Sequence, residues 1–220
     1  MKEKEHKYRL NEKTEEIKSF ILTSSDFGDY EFRKEMVFSI RDTYYDTAKL
    51  ALYNSPGYLR IRNKNGERFF TLKKGFSENP DEINEIRHSL NDKGLEYVLK
   101  HLAIWFNITQ KADFGNPNIE KVLDSVGMKP CLSIEMKRIQ RDVFLTTENL
   151  HEEICCLRFD EFCYTDIAKT TYYEMEIINF RRIFDDAVKK FENELAKKLN
   201  VSFVPFGESK FMFGMNLAKK

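Results

Sequence analysis

The chain has 220 residues and 41% hydrophobic content, enough for one sizeable domain with a buried core and too apolar for a disordered chain. Its 36 Lys and Arg balance 36 Asp and Glu, so no global positive field is available to hold a nucleic acid, and any anion site must be local. The opening MKEKEHKYRL has no apolar stretch that reads as a signal peptide, and no later window approaches the roughly 18 uncharged apolar residues of a membrane span, so a cytoplasmic protein without membrane or nucleic-acid partners is expected.

In chain order, alternation of β-branched or aromatic residues with polar ones predicts a strand at 2–10, and helical periodicity follows at 12–24. Strands are predicted at 36–46, 57–63, 67–75 and 83–90, with Asn63-Lys64-Asn65-Gly66 turning LRIR back into RFFTLKK as a tight hairpin. Helices follow at 92–106 and 117–126, the second with Pro117 in its first turn. Strands at 131–144, 153–162 and 170–179 precede a helix at 182–199, whose Ile183, Ala187, Val188, Phe191 and Leu195 form one stripe, and a final strand is predicted at 209–217. With no internal repeat and no long linker, the reading is one α+β domain over 1–220, mostly antiparallel, with helices packed outside the sheet. The cysteines Cys131, Cys155, Cys156 and Cys163 form no C-x-x-C pair and read as free thiols.

Residues two apart in a strand share a face, and that rule sorts the charges. Glu3, Glu5, Lys7 and Arg9 travel together, as do Arg60 with Arg62 and Thr71 with Lys73. Later, Glu135 and Lys137 oppose Leu132, Ile134 and Met136; Arg158 and Asp160 oppose Leu157 and Phe159; Glu174 and Glu176 oppose Tyr173, Met175 and Ile177. A single strand of this kind simply turns its charges to water. Many such strands, with helices covering the apolar face, suit a sheet closed on itself with its charges in the lumen. Arg and Lys there would grip phosphate oxygens, and clustered carboxylates would hold a hard divalent cation.

The motifs that carry these charges resemble those of the CYTH superfamily, the triphosphate tunnel metalloenzymes. Glu3-Lys4-Glu5-His6-Lys7 is similar to the E-x-E-x-K signature, DTYYDT (42–47) to the D-x-Y-F-D-T turn, YLRIR (58–62) to L-R-I-R, FTLKK (70–74) to T-L-K, YEMEI (173–177) to the late strand with alternating glutamates, and Ser209-Lys210 to the final S-K. The resemblance implies a closed eight-stranded antiparallel barrel, the tunnel, and Mg2+- or Mn2+-dependent hydrolysis or cyclisation of a triphosphate. It assigns Glu3, Glu5, Glu174 and Glu176 to the metal or the attacking water, with Asp160 as a further acidic partner, and Lys7, Arg60, Arg62, Lys73 and Lys210 to the triphosphate. Glu5, Lys7, Glu174 and Glu176 would be the catalytic set. Arg87, from INEIRHSL, and Lys137 join the substrate-binding group, although Ile139 stands where the family often has a basic residue, which leaves open whether Lys137, Arg138 or Arg141 faces the lumen.

No P-loop, nucleophile elbow or H-E-x-x-H motif is present, and the histidines His6, His88, His101 and His151 show no paired spacing. The expected substrate is inorganic triphosphate or a small organic triphosphate such as thiamine triphosphate. A class IV-type adenylate cyclase, a non-catalytic polyphosphate-binding module and a polyphosphate polymerase domain remain as alternatives, and a homodimer stays open.

Overall fold

The turn at Asn63-Lys64-Asn65-Gly66 forms as its composition predicts. In the computed structural model, which describes residues 4–75, 85–109, 112–114, 116, 118–167 and 170–219, β4 (Tyr58–Lys64) pairs with β5 (Glu67–Lys73) so that Lys64 faces Glu67. Asn65 and Gly66 are left as a two-residue loop with φ of 51° and 93°, a conformation that these two residue types tolerate best, and the Asn63 side chain accepts the Gly66 N–H at 2.8 Å.

The remaining strands are β1 (Lys4–Leu10), β2 (Asp26–Phe27), β3 (Tyr30–Asp46), β6 (Glu85–Ser89), β7 (Lys129–Thr147), β8 (Leu150–Tyr164), β9 (Thr171–Asn179) and β10 (Val204–Pro205). The helices are α1 (Thr14–Thr23), α2 (Ala51–Asn54), α3 (Asp92–Phe106), α4 (Ile119–Ser125), α5 (Asp185–Leu199) and α6 (Lys210–Ala218). The predicted Pro117 in the first turn of α4 lies outside the described residues; the N-cap is Asn118, whose side chain accepts the Lys121 N–H. Contacts divide the chain into two compact units, one formed by 1–39, 136–163 and 170–207, the other by 40–135, 164–169 and 208–220.

In the first unit the strand order is β10-β1-β9-β8-β7-β3, with β2 on β3. One face of these strands presents Tyr8, Leu10, Leu157, Phe159, Met175 and Ile177, all buried against α1 through Ile17 and Ile21 and against α5 through Val188, Phe191 and Leu195. Fully burying a side chain such as Phe191 stabilises by about 1.5–3 kcal/mol, so this stripe is what holds α5 in place. Ile183 is not part of it: it sits in a 3-10 turn ahead of α5 and is 81% exposed, because the α-helical period starts only at Asp185. Arg141 on β7 donates to the carbonyls of Ile21, Leu22, Ser24 and Phe32, closing the C-terminal end of α1.

In the second unit the order is β7-β3-β4-β5-β6. Leu59, Ile61, Phe70 and Leu72 form the apolar face and pack under Leu95, Val98 and Leu102 of α3 and Val122 and Leu123 of α4. The predicted strand at 209–217 is instead α6. Phe211 and Met215, four apart, are buried; Ser209 caps the helix by accepting the Met212 N–H; and Phe211 stacks on Tyr44 with ring centroids 5.0 Å apart. A short apolar run fits either period, and here the cap and the packing decide for the helix. Gly214 makes the close approach possible, since a Cβ there would lie well inside van der Waals contact of Tyr164 and Leu132.

Among the described residues ten strands, eight of them of five or more residues, make one large antiparallel sheet. Among the described residues no hydrogen-bonded pairing joins β6 to β10, so strand pairing does not establish the expected closure into a barrel. No described helix is long and apolar enough to cross a membrane.

Candidate metal and anion sites

Directly paired residues of neighbouring strands point to the same face of a sheet, so the register of the first unit lines up its charges. Lys7 on β1 pairs with Glu176 on β9, which pairs with Arg158 on β8; two residues along, Arg9 pairs with Glu174, which pairs with Asp160. Arg138 from β7 completes the group. Its Nε and Nη2 donate to the two carboxylate oxygens of Asp160 at 2.6 and 2.5 Å, and Nη2 donates also to Glu176 Oε2 at 3.0 Å. Arg158 Nη1 lies 3.6 Å from that same Glu176 oxygen.

Asp160, Glu174 and Glu176 are all buried, and each offers a carboxylate oxygen within 4.8 Å of the others. Taking carboxylates out of water costs several kcal/mol apiece unless cations compensate, which Arg138 and Arg158 do here. Such a convergence of hard oxygen donors suits Mg2+ or Mn2+ and is poorly matched to soft metals.

The second unit holds a basic row. Arg62 on β4 grips Asp42 of β3 with Nε at 2.7 Å and Nη2 at 2.6 Å, and Arg60 Nη1 reaches the same carboxylate at 3.2 Å. Burial works against the charge of Arg60, but Asp42, Tyr58 and Tyr44 outweigh it and hold the guanidinium pKa well above its ordinary value. The register continues the row across the sheet: Arg60 pairs with Thr71 and Thr71 with Arg87, while Tyr58 pairs with Lys73 and Lys73 with Glu85. Arg87 is exposed and bonded through Nε to Glu85 at 2.8 Å. Lys210, the first residue of α6, is buried, and its carbonyl accepts the Tyr164 hydroxyl at 2.6 Å.

The sequence profile of the CYTH domain matches residues 1–202. The chain belongs to the CYTH family. Among solved structures, this CYTH chain is similar to a protein from Bacillus halodurans called a putative adenylate cyclase, at 19% identity, with 97% of this chain and 98% of that one covered and a TM-score of 0.56. It is similar also to a Hippeastrum protein whose structure is described as a putative adenylyl cyclase revealing a dominant triphosphatase activity, at 16% identity, coverage of 98% and 96% and a TM-score of 0.64. A third, from Pyrococcus horikoshii, has 18% identity, coverage of 98% and 99% and a TM-score of 0.52. At these identities the likeness concerns the fold. No curated protein matches the sequence.

Within the CYTH chain, the expected site residues are distributed as follows. Asp160, Glu174 and Glu176 converge in the first unit, with Lys7 on the same face; Glu5 shares that face but lies at the exposed end of β1 opposite Ile178, outside the converged group. Glu3 lies outside the described residues. Arg60, Arg62, Lys73 and Arg87 share the face of the β4–β5–β6 hairpins. Of the basic residues on β7, Lys137 is exposed, Arg141 closes α1 from the opposite face, and Arg138 is the one buried against the carboxylates. Sequence reasoning assigned no role to Asp42 and left Arg138 as one of three candidates for the lumen. Asp42 was visible as the first residue of DTYYDT, but only the β3–β4 register, Asp42 opposite Arg62, reveals that it organises both arginines.

Proposed function

We propose that this CYTH protein is a metal-dependent hydrolase of a triphosphate, either inorganic triphosphate or a small organic triphosphate such as thiamine triphosphate. The observation that carries the reading is the convergence of buried Asp160, Glu174 and Glu176 beside the buried Arg138 and the half-buried Arg158, a combination suited to phosphoryl groups and their counter-cation rather than to packing alone. In the second unit Arg60, Arg62, Lys73, Arg87 and Lys210 would bind phosphoryl oxygens of the triphosphate, and in the first unit Lys7 and Arg138 would do so beside the carboxylates; Lys137, the remaining expected substrate ligand, is exposed. Asp160, Glu174 and Glu176 would hold Mg2+ or Mn2+, which when bound supplies Lewis-acid polarisation and charge neutralisation. Phosphoryl transfer requires little covalent chemistry from the protein, so the guanidinium and ammonium groups contribute by spreading the charge of the equatorial oxygens, and a glutamate such as Glu5 by orienting the attacking water. No macromolecular partner forms part of this reading.

Cyclisation of ATP is the second reading, supported by the names of the Bacillus halodurans and Hippeastrum proteins; there the ribose hydroxyl replaces water as nucleophile. Phosphate release from inorganic triphosphate, thiamine triphosphate and ATP with Mg2+ or Mn2+, with cyclic AMP followed in the ATP reactions, separates the two. Metal-dependent phosphate is the expected result. Cyclic AMP with pyrophosphate would transfer the protein to the cyclase class, and silence on all substrates from folded protein would leave a polyphosphate-binding module.

A further inference from the structure

Two hydrogen-bond donors on the basic row of the second unit have nothing to donate to among the described residues. The Thr71 hydroxyl is fully buried, with the residue 0% exposed, and has no hydrogen-bond partner; the same holds for Arg60 Nε, although Arg60 Nη1 bonds Asp42. The two residues are direct cross-strand partners, so both side chains rise from one face at the same level, with Arg87 on the other side of Thr71. A buried hydroxyl or guanidinium N–H without an acceptor is destabilising by the full loss of its hydration, and most such groups in folded proteins are satisfied. Thr71 is the short member of a row whose neighbours are long and cationic, which places its hydroxyl at the floor of that row. Valine is nearly isosteric with threonine and favours a strand as well, so neither packing nor β-propensity calls for the hydroxyl.

We propose that Thr71 Oγ1 and Arg60 Nε donate together to one phosphoryl oxygen of a bound triphosphate, making Thr71 a neutral anchor within a site otherwise read as cationic. This deepens the triphosphatase reading and rests on it. Charge alone attracts any polyanion, whereas a fixed hydroxyl beside one guanidinium N–H fixes where a particular oxygen sits, and so contributes register along the triphosphate chain.

The test is calorimetric titration of the full-length protein with inorganic triphosphate in the absence of divalent metal, so that no turnover intervenes, alongside the thermal midpoint of each variant. Thr71→Val is expected to weaken binding about tenfold or more while its thermal midpoint stays level or rises, since an unsatisfied buried hydroxyl has been removed. Thr71→Ser, which keeps the hydroxyl, is expected to bind within about twofold of wild type. Equal affinity of Thr71→Val and wild type would overturn the assignment. So would a fall of several degrees in its midpoint, since the hydroxyl would then have a partner within the fold, or a Thr71→Ser variant as weak as Thr71→Val. If the wild-type protein fails to bind triphosphate without metal and also releases no phosphate from it with Mg2+ or Mn2+, the functional reading falls and this inference with it; phosphate release with metal but no metal-free binding overturns this inference alone.

Discussion

Arg138 holds Asp160 through both arms of its guanidinium, at 2.6 and 2.5 Å, while the same Nη2 reaches Glu176 at 3.0 Å. One cation thus ties together two of the three carboxylates of the converged group, which would otherwise repel each other in a buried setting. Removing it by Arg138→Met leaves Asp160 buried with its main counter-charge gone. A loss of about 3–5 kcal/mol in unfolding free energy is expected by urea denaturation, and Asp160→Asn in the same chain should restore part of it. Additive losses in the double variant would show that the pair is not energetically coupled.

Glu176 stands between Arg138 and Arg158 and opposite Lys7. Glu176→Gln keeps the shape but removes the charge a divalent cation needs. Metal-dependent phosphate release is expected to fall about a hundredfold or more, with the circular dichroism spectrum unchanged. Activity equal to wild type would remove this carboxylate from the mechanism.

Gly214 lets α6 approach Tyr164 and Leu132. Gly214→Ala should therefore overpack that contact and destabilise by about 1–3 kcal/mol despite the better helix propensity of alanine. Gly207, around which a Cβ meets nothing within 4 Å, is the control, and Gly207→Ala should leave the thermal midpoint unchanged. A more stable Gly214→Ala variant would mean the helix has room to shift.

Burial pushes the Cys156 thiol up to about 11, the Cys131 thiol up to about 12 and the Tyr45 phenol up to about 12. For an acid whose folded pKa is raised, the native state keeps its proton when the unfolded chain has lost it. Stability from these groups is thus complete below the unfolded thiol range near pH 8.5, and each thiol removes about 1.4 kcal/mol per pH unit as pH rises from there toward 11 or 12. Denaturation midpoints should be flat from pH 7 to 8 and fall steeply above about pH 9, less so in a Cys156→Ala variant. A flat profile to pH 11 would place these groups in contact with solvent.

Most strands were legible because alternation is a local property: β1, β4, β5 and β9 lie within a few residues of where period-two patterning puts them. The ends of β3 and β7, which run to 17 and 19 residues, were not, since both strands continue through segments without clean alternation and are held there by their neighbours. The error at α6 came from an apolar run of ambiguous period, resolved by the Ser209 cap and by Tyr164 and Leu132, residues distant in sequence.

The candidate site divides along the same line. Which residues are charged, and which alternate onto one strand face, the sequence determined alone, because a strand's side-chain period is two whatever it pairs with. Which charges meet was decided by how neighbouring strands pair and pack: Arg138 against Asp160, Arg62 against Asp42, Thr71 between Arg60 and Arg87. A shift of one residue in any of those pairings would turn a charged face onto the apolar core, so the burial of Leu157, Met175, Leu59 and Leu72 on the opposite faces is what sets the geometry of the carboxylates and guanidinia.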